Sequence, residues 1–234
     1  MNLPTDLHEA TLLRRYKRFL SDMRLPDGRE VIAHCPNPGS MKTCAEPGWR
    51  AILSHTTNPR RKLKWTWELA YDGDGHPILI NTGRPNAVVA EAVAAGQVPE
   101  LAGYGSLKRE VRYGAERSRI DLLLSEEGRP DCYVEIKSVT MRSGDVGAFP
   151  DSVTKRGQRH LRELMGMVAE GKRAVMFFLL SRGGLRAVRP ADEIDAEYGR
   201  LLREAAAAGV ELVAYRAAFA PGTVTLGEVV PVEL

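Results

Sequence analysis

Apolar and polar positions alternate in short runs through the first third of the chain and in longer, mixed runs after it. Strand-like segments are predicted over residues 16–25, 30–34, 49–54, 65–71 and 77–81. Their breaks carry turn chemistry: Pro26-Asp27-Gly28, Cys35-Pro36-Asn37-Pro38-Gly39 and Asp72-Gly73-Asp74-Gly75. The two prolines of the second break fix an irregular loop. Five short strands joined by such turns predict a small closed or nearly closed barrel.

The rhythm changes at Thr82-Gly83-Arg84-Pro85. Residues 86–95 read as a helix, with Asn86 able to cap it and Gly96 ending it. Short strands follow at 108–112, 120–124 and 132–139. Residues 152–170 form an amphipathic helix in which Leu161, Leu164, Met165 and Val168 share a face. The run 173–181 is continuously apolar, as in a strand covered on both faces. A helix at 194–208 and a strand at 210–215 complete an α/β layer. The expected division is a barrel over 1–83 and an α/β domain over 84–234.

The length, 234 residues, suits one large or two modest domains. Lys plus Arg is 33 against 30 Asp plus Glu, a net charge of +3. That balance permits a nucleic-acid partner without requiring one, so any footprint must come from local clustering. Cys35, Cys44 and Cys132 are odd in number and show no Cys-x-x-Cys spacing, which argues against a disulfide scaffold and a structural zinc site. No signal-like run opens the chain, and the longest apolar stretch, 174–180, is far too short to span a bilayer. A cytoplasmic protein with no membrane partner is expected.

Chemistry concentrates in two strands. Asp121 sits among Ile120, Leu122, Leu123 and Leu124, while Glu135 and Lys137 flank Ile136. With a strand period of two, Glu135 and Lys137 project from one face. If the two segments pair, Asp121 and Glu135 converge. Adjacent buried carboxylates repel, and a divalent cation relieves the repulsion. Such a cation activates water and neutralises a phosphoryl oxygen, and Lys137 adds positive charge. The alternative is a same-face Glu135–Lys137 ion pair with Asp121 near a turn. Glu91, in an apolar helix, is either a further metal ligand or a solvent-facing position. Gln158 lies on the following helix, able to orient water or touch phosphate; His160 beside it reads as a surface histidine.

Longer strings are more specific. They include Arg15-Tyr16-Lys17-Arg18-Phe19-Leu20, His34-Cys35-Pro36-Asn37-Pro38-Gly39-Ser40-Met41, Thr66-Trp67-Glu68-Leu69 and Asn81-Thr82-Gly83. Further on stand Ser118-Arg119-Ile120-Asp121, Tyr133-Val134-Glu135-Ile136-Lys137, Phe149-Pro150-Asp151-Ser152-Val153-Thr154 and Arg156-Gly157-Gln158-Arg159-His160-Leu161. Over nearly the whole length the chain closely resembles the sugar fermentation stimulation protein family. The resemblance implies an OB fold followed by an α/β domain of the PD-(D/E)xK restriction-endonuclease-like type. The motif falls on Asp121, Glu135 and Lys137, with Glu91 as the helix carboxylate and Gln158 as the glutamine of the next helix. Arg119-Ile120 replaces the proline-containing lead, which supplies no ligand. The implied metal set is Glu91, Asp121 and Glu135, holding Mg2+ or Mn2+.

The resemblance also implies DNA binding and a link to regulation of sugar (maltose) use. A C-terminal helix-turn-helix is not supported, because residues 198–209 form one helix followed by a strand. Two basic clusters are the expected nucleic-acid surface: Arg14, Arg15, Lys17 and Arg18 with Tyr16 and Phe19, and Arg60, Arg61, Lys62 and Lys64 with Trp65 and Trp67. One of the two tryptophans packs inside. DNA is the expected partner, with RNA the second, and a homodimer would suit action on a duplex. Two functions remain open: a metal-dependent nuclease, or a non-catalytic DNA-binding regulator on a silent nuclease fold.

Overall fold

The computed structural model describes residues 1–114 and 118–234. Six strands come first: β1 (Leu7–Tyr16), β2 (Leu20–Arg24), β3 (Glu30–His34), β4 (Arg50–His55), β5 (Trp65–Tyr71) and β6 (Pro77–Leu79). They hydrogen-bond in the order β3-β2-β1-β4-β5-β6, and β3 also pairs with β5, so the first five close a barrel. That is the OB architecture. The strand expected at 16–25 is instead the end of β1 and all of β2. Lys17 and Arg18 turn the chain between them with φ of 46° and 63°. The polar stretch before Tyr16 hid most of β1, whose burial is only partial. Trp67 is the inward tryptophan, 0% exposed, and its indole N–H donates to the Leu69 carbonyl at 2.8 Å.

Helix α1 (Pro85–Ala94) leads into strands β7 (Ser106–Tyr113), β8 (Ser118–Ser125) and β9 (Cys132–Val139). Next come β10 (Met141–Ser143), β11 (Val146–Phe149), helix α2 (Lys155–Ala169), β12 (Arg173–Leu180) and β13 (Ala187–Pro190). Helix α3 (Asp192–Ala207), β14 (Glu211–Ala220) and β15 (Thr223–Val229) close the chain. The main sheet runs β15-β14-β12-β9-β8-β7 and is mixed, with β9, β12 and β14 parallel. A second sheet, β10-β11-β13, had no signature in the sequence pattern because its strands are three or four residues long.

Helix α1 covers one face of the main sheet, α2 and α3 the other, and two apolar layers result. The layer under α1 also holds Leu3, Leu69 and Leu79, so barrel and α/β domain share core. Their backbones join as well: Leu79 N–H donates to the Ser181 carbonyl and Gly183 N–H to that of Pro77, both at 2.8 Å. Asn86 does not cap α1. Pro85 takes the first helical position, where its missing N–H costs nothing, and Arg84 stands before it without a side-chain cap. Helix α2 begins later than expected because Thr154 caps it, accepting from Gly157 N–H at 3.0 Å.

Candidate metal centre

Asp121 interrupts a regular strand. Every other residue of β8 has a register partner on β7, but Glu110, which would face Asp121, is left-handed with φ 55°. Towards β9 the paired register ends at Leu122 opposite Val134, one step short of setting Asp121 against Glu135. Ile120 packs under α2 and Leu122 under α1, although two residues apart should share a face. The register is the same on either side, so Asp121 and the left-handed Glu110 drop out of pairing together and the strand changes face there without an inserted residue. The freed carboxylate accepts from the Ile136 amide at 2.7 Å on Oδ2 and from the Asn86 amide group at 2.7 Å on Oδ1.

Glu135 points under α2 and is 3% exposed. Lys137 Nζ donates to its Oε1 at 2.7 Å, and His160 Nδ1 meets the same oxygen. Arg156 Nε donates to His160 Nε2 at 3.3 Å, which leaves the ring proton on Nδ1, aimed at Glu135. His160 is 1% exposed, so the expected surface histidine is buried beside the carboxylate. The helical period explains it: Gly157, His160, Leu161, Leu164 and Met167 form the buried stripe of α2.

The electrostatics of the two carboxylates differ. Burial, then the neighbouring Glu135 charge, pushes Asp121 up to about 6. Burial also pushes Glu135 up, but Lys137 and His160 outweigh it and hold that carboxyl below its ordinary value. Among the described residues, Glu135 Oε2 is buried with no hydrogen-bond partner, as are the phenol hydroxyls of Tyr113 and Tyr198. Both phenols have their ionisation pushed up by burial and then by Glu135. A buried acceptor without a donor beside a second carboxylate fits a divalent cation.

The other expected site residues divide. Lys137 joins Glu135. Glu91 does not join the pair: it is exposed and forms an ion pair with the Met1 amine at 2.8 Å. Five residues on from Asn86, it lies well round the helix from the Asp121 side, and the α1 residue that touches Asp121 is Asn86. Gln158 is buried, but its amide nitrogen donates to both Asp195 oxygens, at 2.8 and 3.1 Å. Asp195 also accepts from the Thr154 and Tyr198 amides, tying the starts of α2 and α3 together. Among the described residues, three ligand atoms of His, Cys, Asp or Glu converge within 4.8 Å only at Asp72, Asp74 and His76. That group is compatible in ligand type with a divalent metal, but Arg182 and Arg142 already neutralise it.

A cleft of about 370 Å³ opens beside the pair. Asn86 and Lys137 face it from one side, and the barrel loop Asn37-Pro38-Gly39 and Asp151 from the other. The loop is docked: Ser40 Oγ donates to the Asp151 carbonyl at 2.8 Å, and the Met41 amide to its carboxylate at 3.2 Å. Arg15 holds the loop from behind by donating to the carbonyls of Asn37, Gly39 and Ser40 at 2.9, 3.0 and 3.4 Å. Its charge is therefore directed inward. Lys17, Arg18, Arg60, Arg61 and Lys62 are exposed, and Lys64 donates to the Asn58 carbonyl at 2.7 Å.

Family models match both halves: an SfsA N-terminal OB domain over residues 13–80, and a sugar fermentation stimulation protein RE domain over 83–223. The chain belongs to the sugar fermentation stimulation protein family. Among its relatives, a homolog from Geobacter metallireducens is 57% identical over 235 residues, covering 100% of both chains. One from Geobacter sulfurreducens is 54% identical, covering 99% of this chain and 98% of its own. The solved structure of SfsA from Pyrococcus furiosus in complex with Ca2+ is 28% identical, covers 100% of both chains and superposes with a TM-score of 0.88. The OB barrel and restriction-endonuclease-like α/β domain of this chain are thus those of the family. Among the described residues, no helix is long and apolar enough to cross a membrane.

Proposed function

We propose that the chain is a divalent-metal-dependent nuclease that acts on DNA, with RNA as the second candidate substrate. The observation that supports this reading best is the unmatched Glu135 Oε2, buried next to an Asp121 carboxyl raised to about 6. Asp121 and Glu135 would hold Mg2+ or Mn2+; the calcium complex of the Pyrococcus furiosus relative fits such a site. The ion, when bound, supplies an activated water and neutralises a phosphoryl oxygen. Asn86 and the Ile136 amide fix the Asp121 carboxylate. His160 fixes Glu135, and Lys137, facing the cleft, offers its ammonium to charge developing on the scissile phosphate. Gln158 acts through Asp195, by placing the start of α2. The basic barrel residues Lys17, Arg18, Arg60, Arg61, Lys62 and Lys64 attract the phosphate backbone.

Purified protein incubated with labelled single- and double-stranded substrates and magnesium or manganese tests the reading. Asp121→Ala and Glu135→Ala should lower cleavage about 10³-fold; cleavage unchanged in both variants sinks it. The second reading is a non-catalytic DNA-binding regulator of sugar (maltose) metabolism. The outward Glu91 and the matched Glu135 Oε1 favour it. It predicts salt-dependent binding without turnover. Copy number belongs to the same question: a homodimer suits a duplex and a monomer a single strand, and light scattering separates them. The three buried free thiols support a reducing, cytoplasmic location.

A further inference from the structure

A second cavity, of about 440 Å³, opens at the mouth of the barrel. His34 at the end of β3, His55 at the end of β4 and Arg61 from the β4–β5 loop wall it. Its floor is Glu68, 1% exposed, which accepts from Ser54 and Asn81 at 2.8 Å and from two Arg84 nitrogens at 2.9 and 3.0 Å. The charge of Arg84 is thereby matched. Arg61 differs: it donates to the Thr66 hydroxyl at 2.9 Å and, among the described residues, forms no ion pair. Burial and the nearby Arg61 hold His34 below its ordinary value, so its neutral ring offers one donor and one acceptor at pH 7. Phe19, 45% exposed, lies 6.5 Å from the His34 ring at a tilt of 31°.

The mouth and the metal cleft are neighbours. Pro36, Asn81 and Arg84 line the first; Asn37, Thr82 and Asn86 line the second. Between them runs a ridge where the Thr82 hydroxyl donates to the Pro36 carbonyl at 2.6 Å. We propose that one single strand of nucleic acid crosses this ridge. An unpaired nucleotide sits in the barrel mouth, its phosphate on Arg61 and its base against Phe19 and His34, while the strand continues into the cleft lined by Asn86 and Lys137. A duplex keeps its base faces stacked inside and has no use for an aromatic-edged concavity, whereas an unpaired base does. The nuclease reading enters only in what happens at the second cleft.

Binding is read by fluorescence anisotropy in EDTA, so that no metal takes part, with a ten-nucleotide DNA strand, its RNA counterpart and a DNA duplex of equal length. Arg61→Ala and Phe19→Ala, both at exposed positions, should each weaken single-strand binding about tenfold and duplex binding less than about twofold. Arg60→Ala, next to the cavity but not lining it, should cost less than Arg61→Ala. Whichever of the DNA and RNA strands shows the larger loss is the class held in the mouth. Unchanged single-strand Kd in both variants with unaltered melting temperature, or equal losses on strand and duplex, overturns the proposal. Asp121→Asn, assayed alongside with magnesium, should lose cleavage. Retained cleavage overturns the nuclease reading alone.

Discussion

Two groups of acidic side chains in this molecule close their charge in opposite ways. At the β5–β6 turn, Asp72, Asp74 and His76 bring three ligand atoms within 4.8 Å. Arg182 sits 2.6 Å from Asp72 with both side chains sealed, 3% and 2% exposed, and Arg142 holds Asp74 at 2.7 Å. Burial pushes Asp72 up, and Arg182 with the His76 amide reverses it, leaving the carboxyl below its ordinary value. Asp121 and Glu135 offer fewer ligands, yet one buried oxygen has no donor among the described residues and one carboxyl is raised to about 6. A cation at the first group must compete with arginines; at the second it meets an unfilled need. On the proposed reading, unmatched charge, more than the number of carboxylates, marks the metal site.

The largest expected effect tests the matched group. Arg182→Met leaves Asp72 buried without its main partner and should cost about 3–5 kcal/mol in urea unfolding. Part of that loss should return with millimolar magnesium, because the variant has made the turn resemble the other site. A loss under about 1 kcal/mol, or no magnesium response, breaks the contrast. Asp74→Ala in the wild-type background should leave the magnesium-induced rise in Tm unchanged, whereas Asp121→Asn should remove it.

The next effect is one of pH. The folded, metal-free protein keeps the Asp121 proton up to about pH 6, while the unfolded chain loses it near 3.8. Between those values the native state binds more protons, so stability falls as pH rises and levels off above about 6. At pH 7 the cost is at most about 3 kcal/mol. Asp121→Asn should therefore stabilise the metal-free protein at pH 7, by that amount less whatever the Asn86 bond loses, and flatten the slope between pH 4 and 6. A variant that keeps the slope would place the raised carboxyl elsewhere. His160→Asn comes after it: with the donor to Glu135 altered, metal affinity should drop about 10- to 100-fold, while Tm without metal changes little.

How far the sequence carried follows the same physics. Strand period put Glu135 beside Lys137, and a carboxylate inside the apolar run around Asp121 was unusual enough to draw notice. The break in pairing that frees Asp121 lies between strands, opposite a left-handed Glu110, and no single strand's pattern records it. The direction of Glu91 was not legible because α1 is apolar on most sides, with Val88, Val89, Ala90 and Ala92 all buried. Asn86 looked like a cap because its type suits one; only tertiary contact shows it holding Asp121. His160 was within reach, since it lies three and four residues from the Gly157 and Leu164 positions of the buried stripe. The barrel was legible from its turns, but its first strand was not, because exposed polar residues fill much of it.

Spent and unspent charge separates the basic residues too, with the smallest expected effects. Arg15 donates three bonds to the carbonyls of the 37–40 loop, so its positive charge serves the fold. Lys62 is exposed in the β4–β5 loop and enters none of the ion pairs among the described residues. If nucleic acid reaches that loop, Lys62→Ala should lower the slope of log K against log salt by about one, with Tm unchanged. Arg15→Ala should do the reverse, lowering Tm through loss of the loop's carbonyl partners while the salt slope stays near wild type. Equal changes in slope for both variants would mean that Arg15 meets phosphate after all. The matched-versus-unmatched criterion would then fail for cations even if it holds for the carboxylates.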